Sequence, residues 1–154
     1  MKQYLGVKMI KATPMDRATY NDYRGWDLPE NEKHLADEAG MLVEYEDTGH
    51  PNHTHHKGYI SWSPLTVFEE AYRETIGLTF GLAIEALKLS HKVARTGWNG
   101  KGQFIKYYKP DIEYTIKEGT FKRSPYFYLK NAQDELVPWV PSMGDCLAED
   151  WIVI

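Results

Sequence analysis

Thr79-Phe80-Gly81-Leu82-Ala83-Ile84-Glu85-Ala86-Leu87-Lys88-Leu89-Ser90 is the stretch on which the reading of the fold turns. Thr79 is a candidate cap. Phe80, Leu82, Ala83, Ala86, Leu87 and Leu89 are spaced for one broad buried face, so a helix is expected over Phe80–Ser90. Four residues beyond it comes Arg95-Thr96-Gly97-Trp98-Asn99-Gly100-Lys101-Gly102, a loop that three glycines keep thin. Gln103–Tyr108 is a strand by composition. Further strands are expected at Ile112–Ile116, Tyr126–Lys130 and Leu136–Trp139, and the tail Trp151–Ile154 reads as a final strand. Asn131–Asp134 makes the turn between two of them. The second half is therefore expected to be a helix packed on an antiparallel β-sheet.

Working outward, the first half reads differently. Leu5, Val7 and Met9 alternate within Tyr4–Ala12, which predicts a strand. Thr13-Pro14 reads as a cap and first-turn pair for a short helix over Met15–Tyr23. Gly25–Gly40 reads as loop. Met41–Tyr45 and Gly58–Trp62 look like the two arms of a hairpin, and Ser63-Pro64 as the cap and first residue of the next helix. Val67, Phe68, Ala71 and Tyr72 fall on one face of that helix, and Arg73–Gly77 reads as a junction. The fold class expected is α+β, with two fused small modules at residues 1–77 and 78–154.

Bulk properties bound the function. The chain has 154 residues, 42% hydrophobic and 14% aromatic, with eleven Tyr and five Trp. Such aromatics suit interfaces and binding surfaces as well as cores. The net charge of −4 argues against wholesale nucleic-acid binding. Residues 1–77 carry 8 basic and 13 acidic side chains, whereas residues 78–154 carry 10 and 9. From Ala86 to Pro110 there are six Lys or Arg and no Asp or Glu. A small anionic ligand in the second half fits that distribution; a long polyanion does not. The lack of a long apolar run or leader-like start predicts no membrane partner, and the lone Cys146 fits a reducing cytosol.

The glycine loop is the main candidate site. Trp98 offers a flat surface for stacking, Asn99 and Gly100 backbone and amide donors, and Arg95 and Lys101 positive charge. The spacing of a P-loop is missing, so nucleotide hydrolysis gains nothing from it. The plain alternatives are a core tryptophan and solvated cations. Asp145, Glu149 and Asp150 lie close together and suit either acid–base work or capping of a turn, the second being favoured. Ser142 and Cys146 have no His nearby in sequence to activate them. His50, His53, His55 and His56 crowd the tip of the expected hairpin, where incidental metal affinity is the reading preferred over a built site.

Four motifs carry a family resemblance in the second half. They are Thr79-Phe80-Gly81-x-Ala83-x-Glu85-Ala86-Leu87-Lys88, Val93-Ala94-Arg95-x-Gly97-Trp98-Asn99-Gly100-Lys101-Gly102, Val137-Pro138-Trp139 and, after Asp145, Leu147-Ala148-Glu149-Asp150-Trp151. In that order they resemble the second Thoeris anti-defence family of phages, a former domain of unknown function. The first half resembles a small uncharacterised phage protein through Tyr45-Glu46-Asp47 and Gly58–Pro64, with Thr48–Lys57 as an insertion.

The resemblance implies a sponge rather than an enzyme. It implies binding of a cyclic nucleotide second messenger, a cyclic ADP-ribose isomer or a cyclic dinucleotide, in the cytoplasm of the infected bacterial host. It implies a homo-oligomer, with a tetramer favoured, and pockets at subunit interfaces. Arg95, Trp98, Asn99, Gly100, Lys101, Asp145 and Asp150 would be the ligand-binding residues. No catalytic residue, metal or cofactor is expected. The competing readings are a hydrolase of the same signals, with Asp145 or Asp150 as base, and a module that docks a protein. A binder of single-stranded nucleic acid ranks last.

Overall fold

The computed structural model describes residues 1–47, 50–110 and 113–154. The chain is α+β and divides into two compact units, Met1–Arg73 and Glu74–Ile154.

The first unit is built on three antiparallel strands in the order β1 (Lys11–Pro14), β2 (Gly40–Tyr45) and β3 (Tyr59–Pro64). Helix α1 (Arg17–Arg24) lies against β3, and α2 (Leu65–Ala71) against β2 and β3. Tyr20, Leu42 and Ile60 form the core, with Met15, Tyr23 and Trp62 packed at its edge. The hairpin arms fall close to where they are expected, at Gly40–Tyr45 and Tyr59–Pro64. The first strand does not: the alternating Tyr4–Ile10 segment carries no strand. Lys11 already faces Glu44, one residue from the end of β2, so the preceding residues run past the sheet.

The caps also differ from expectation. Asp16 caps α1, accepting from Thr19 N at 2.7 Å, while Thr13 and Pro14 belong to β1. The charged carboxylate wins over the threonine because it satisfies the first-turn N–H more strongly. Gly25 closes the helix at φ +69°, a left-handed turn suited to glycine. Gly25–Gly40 is not all loop, since Glu30–Leu35 winds into a 3-10 helix. Strand β3 runs through Ser63 and Pro64, so α2 starts at Leu65 without a side-chain cap. Its expected apolar face is not buried: Val67 is exposed, and Phe68 and Tyr72 stack on each other with ring centroids 5.0 Å apart.

The second unit is a six-stranded antiparallel sheet with one main helix. The strands are β4 (Ile76–Leu78), β5 (Val93–Arg95), β6 (Phe104–Tyr108), β9 (Tyr126–Lys130), β10 (Leu136–Pro138) and β11 (Trp151–Val153). Their order across the sheet is β10-β9-β6-β5-β11-β4. A separate hairpin joins β7 (Glu113–Ile116) to β8 (Gly119–Lys122). Ile112, part of the strand expected there, lies outside the described residues, as do Thr48 and Gly49 of the His-bearing segment. The junction expected at Arg73–Gly77 contains most of β4, which pairs with β11.

Helix α3 (Phe80–Lys88) packs on this sheet through Ala83, Ala86 and Leu87, with Phe80 and Ile84 beside them. These positions follow the i, i+3, i+4, i+7 rule. Leu82 and Leu89, expected on the buried face, are exposed. The helix stops two residues early because Ser90 turns left-handed at φ +71°. Thr79 holds the N-cap position but makes no side-chain cap bond. The short helix α4 (Met143–Cys146) precedes β11. The C-terminal strand thus ends inside the sheet, between β5 and β4. Trp151 sits at the centre of the core with Leu78, Val93 and Ile105.

Candidate functional site

The sheet brings Arg95, Asp145 and Asp150 together, with Trp98 against the neighbouring Trp151 ring. Arg95 ends β5 and pairs in register with Trp151 of β11. Its guanidinium reaches two carboxylates: Nε donates to Asp150 Oδ1 at 2.7 Å and Nη1 to Asp145 Oδ1 at 3.0 Å. Asp145 is held from its other side by a capping box. Ser142 N and Oγ donate to Asp145 Oδ2 at 2.9 and 2.7 Å, and Asp145 N donates back to Ser142 Oγ. Asp150 Oδ2 accepts from Gly97 N at 2.9 Å. A Cβ at position 97 would sit 2.9 Å from that same oxygen, so the loop needs glycine there. Thr96 N donates to Asp150 O, which ties the base of the loop a second time.

The aromatic layer lies under this charge cluster. Trp151 is fully buried, and its indole N–H donates to Asp145 O at 3.1 Å. Phe80, Trp98 and Trp139 surround it with ring centroids 5.6, 5.6 and 6.2 Å away. Trp98 meets Trp151 edge-on at 75° and is itself half-buried. It therefore rests on the core while keeping part of its ring in solvent. Asn99 and Lys101 are exposed on the loop above, away from the carboxylates' bonds. Gly100 is half-buried against the Gln103 side chain.

Charge state follows from these contacts. Burial pushes the Asp145 carboxyl up, but the Ser142 hydrogen bonds and Arg95 outweigh it and hold it below the ordinary value. The Arg95 guanidinium, helped by Gly97 N–H, does the same for Asp150 against a smaller desolvation cost. Asp150 first and Asp145 second raise the Arg95 value in return. The three side chains thus stay ionised around neutrality and carry a net charge of −1. Arg95 is committed to its partners, whereas among the described residues Lys101 has no ion-pair partner. The positive charge open to a ligand on this loop is Lys101.

A pH prediction follows. Both carboxylates have folded values below their unfolded ones, so their stabilisation is present above about pH 4 and is lost as pH falls through the depressed folded values. The urea midpoint of the second unit is expected to be flat from about pH 7 to 5 and to drop below about pH 4. Asp145→Asn with Asp150→Asn should flatten that acid limb. A midpoint that already falls between about pH 8 and 6 would contradict the assignment.

Ser142, Trp139 and Trp151 belong to the site's framework. Ser142 was open to reading, because Ser-x-x-Asp before a short helix is a capping-box pattern. Its lack of a base is explained by this structural task. The His segment is likewise used in packing. The His53 ring stacks on Tyr23 at 4.4 Å, and His56 bridges Tyr23 Oη and Glu44 Oε2 at 3.0 Å each. Among the described residues, no group of three or more His, Cys, Asp or Glu is arranged to hold a metal ion. Among them, too, no helix is long and apolar enough to cross a membrane.

Comparison with known proteins bears on the same half. Residues 78–154 match the Thoeris anti-defense 2-like domain. A similar curated protein is "Thoeris anti-defense 2" of Bacillus phage SP01, 36% identical over an alignment 84 residues long that covers 50% of this chain and 94% of that protein.

Proposed function

The chain belongs to the Thoeris anti-defense 2-like family through residues 78–154, and from that membership we propose that it sequesters a cyclic nucleotide immune signal without cleaving it. It is a phage anti-defence protein. The ligand class proposed is a cyclic ADP-ribose isomer or a cyclic dinucleotide, met in the cytoplasm of the infected host.

The observation that carries the sponge reading is the paired state of Asp145 and Asp150. Each carboxylate is bound by Arg95 and by a second donor, and each is held below its ordinary value. A general base works best with a value near the operating pH. These two are far from it, so the hydrolase reading loses its candidate base. Sequestration asks for less chemistry: burial of the ligand, matched polar contacts and slow release. The loop supplies a part-exposed Trp98 ring, the Asn99 amide and the Lys101 charge above a base locked by the ion-pair cluster.

The proposed homo-oligomer, a tetramer by family resemblance, draws support from the α4 region. Val140, Met143 and Leu147 are all strongly exposed beside Asp145. Three such side chains within eight residues offer apolar area that an oligomer contact would cover. Met143→Glu with Leu147→Glu is expected to lower the mass measured by light scattering to that of a smaller species. An unchanged mass would remove this surface from the assembly.

Calorimetric titration with a panel of cyclic ADP-ribose isomers and cyclic dinucleotides tests the binding. Saturable binding to at least one is expected. Trp98→Ala should weaken it by at least about tenfold, the loss expected of one stacked base, with the far-ultraviolet spectrum unchanged. Unfolding of that variant without a separable binding defect would make Trp98 a core residue only. Silence across the whole panel would favour the protein-docking reading.

A further inference from the structure

The first unit holds a cleft of about 360 Å³ between α1 and β3 that the loop site of the second unit does not use. Its size is at the lower end for small-molecule sites. From α1 it receives Arg17, Tyr20 and Arg24, which the helical period places on one face. Trp62 and Tyr59 face them from β3, and Trp26 stands just past the helix end.

The two arginines are treated differently by the fold. Arg17 lies over the Trp62 ring at 4.8 Å, and its N–H edge is filled. Glu38 takes Nε and Nη2 at 2.9 and 2.7 Å, and Glu32 takes Nη1 at 2.8 Å. Arg24 lies over the Trp26 ring at 4.4 Å in the same way. Its Nη1, however, is buried with no hydrogen-bond partner. Among the described residues no carboxylate pairs with Arg24. A buried donor left unmade is costly, and more so when it is charged.

Other polar groups at the cleft are already spent. The Asn52 side chain bonds the backbone N and O of Ile60 at 2.7 and 2.9 Å. Trp62 Nε1 donates to Met15 O at 2.8 Å. Burial raises the Tyr20 phenol above its ordinary value, with the Arg24 charge and a hydrogen bond from Arg24 pulling the other way. What the cleft offers a ligand is therefore Arg24, whose Nη1 lacks an acceptor, beside two open rings: Trp26 is 52% exposed and Tyr59 45%. A bare anion would leave those rings in water, and a neutral ring would leave Arg24 unmatched. The net charge of −5 over residues 1–77 disfavours a long polyanion.

We propose that this cleft binds a small anion carrying a flat ring, of the mononucleotide class, with the ring stacked at Trp26 and Tyr59 and the phosphate on Arg24. Its lining residues all belong to the first unit, and the proposal does not depend on the sponge reading.

The test uses the full chain with indole-labelled tryptophan, the Trp26 resonance being assigned with Trp26→Phe. The four ribonucleoside monophosphates are titrated in, with adenosine and inorganic phosphate as controls. At least one monophosphate is expected to shift the Trp26 indole signal saturably, more strongly than either control. Arg24→Gln should weaken that binding by about tenfold or more, while Trp98→Ala leaves it unchanged. If Arg24→Gln loses the dispersed spectrum of the folded chain, Arg24→Lys, which keeps the charge but not the planar fork, is read instead and should still bind more weakly. The proposal is overturned if none of the four shifts Trp26 saturably at millimolar concentration, if the Arg24 variant binds as tightly as the parent, or if the shift is lost with Trp98→Ala.

Discussion

Trp151→Ala is expected to cost the second unit about 3–5 kcal/mol, the range for truncating a fully buried large aromatic. The side chain is 0% exposed and touches Phe80, Trp98 and Trp139 at once. Its strand also lies between β5 and β4, so the cavity opens where the sheet is joined. The indole bond to Asp145 O disappears with the ring, which leaves the Arg95 ion pair to hold α4 to the sheet. A small domain has a total stability of only about 5–15 kcal/mol. The variant should therefore sit near the edge of unfolding, with a much lower urea midpoint by near-ultraviolet circular dichroism. A shift worth less than about 1 kcal/mol would mean that the ring cluster is not the centre of this unit.

Arg95→Met has the second largest expected effect, roughly 3 kcal/mol. The substitution keeps the aliphatic volume but strands two carboxylates that were sharing one cation. Asp145 bears most of the cost, since its side chain is 12% exposed against 30% for Asp150, where water can substitute. Removing one partner of a part-buried pair leaves an uncompensated charge, which costs more than the pair contributes. Adding Asp145→Asn and Asp150→Asn to Arg95→Met should therefore recover much of the loss. An amide oxygen at position 145 can still accept from Ser142, so the cap survives the change. If the triple variant is less stable than Arg95→Met alone, the stranded-charge account fails.

Periodicity and composition account for what was readable in the chain. The helix at Phe80–Lys88 runs long enough for a repeat of 3.6 to stand out, and the strands at Gly40–Tyr45, Tyr59–Pro64 and Tyr126–Lys130 are runs rich in β-branched, aromatic and other apolar residues, long enough to be recognised. Strands β4 and β5 have three residues each, too few to show alternation. What makes them strands is pairing with Trp151–Val153, more than fifty residues away in sequence. The same distance hid the main feature of the site. The sequence singles out Arg95 as loop charge and Asp145 and Asp150 as capping carboxylates; the capping box of Ser142 and Asp145 agrees with the second reading, while the pairing with Arg95 does not follow from either. The 2.7 and 3.0 Å bonds that join them across the sheet have no local sequence pattern. Capping misled where several candidates competed: Thr13, Ser63 and Thr79 all had plausible side chains, yet none of them makes a cap bond to the helix that follows. Arg24 gave no sign in sequence at all, because its importance lies in a partner that the fold omits.

These placements separate what holds the loop from what it presents. The ion-pair cluster and Trp151 hold it; Trp98, Asn99 and Lys101 are presented. The proposed binding without turnover is in keeping with Asp145 and Asp150, both bonded and ionised at the base of the loop.

The most direct measurement of that claim is recovery of the ligand. The protein is saturated with the member of the panel that binds it best, held at neutral pH for hours, and heated to denature it. The released small molecule is then compared with the starting compound by chromatography and mass. The account predicts one equivalent or less per chain, chemically intact and withheld from solution until heating. A cleaved product accumulating with time would contradict it and make the protein an enzyme.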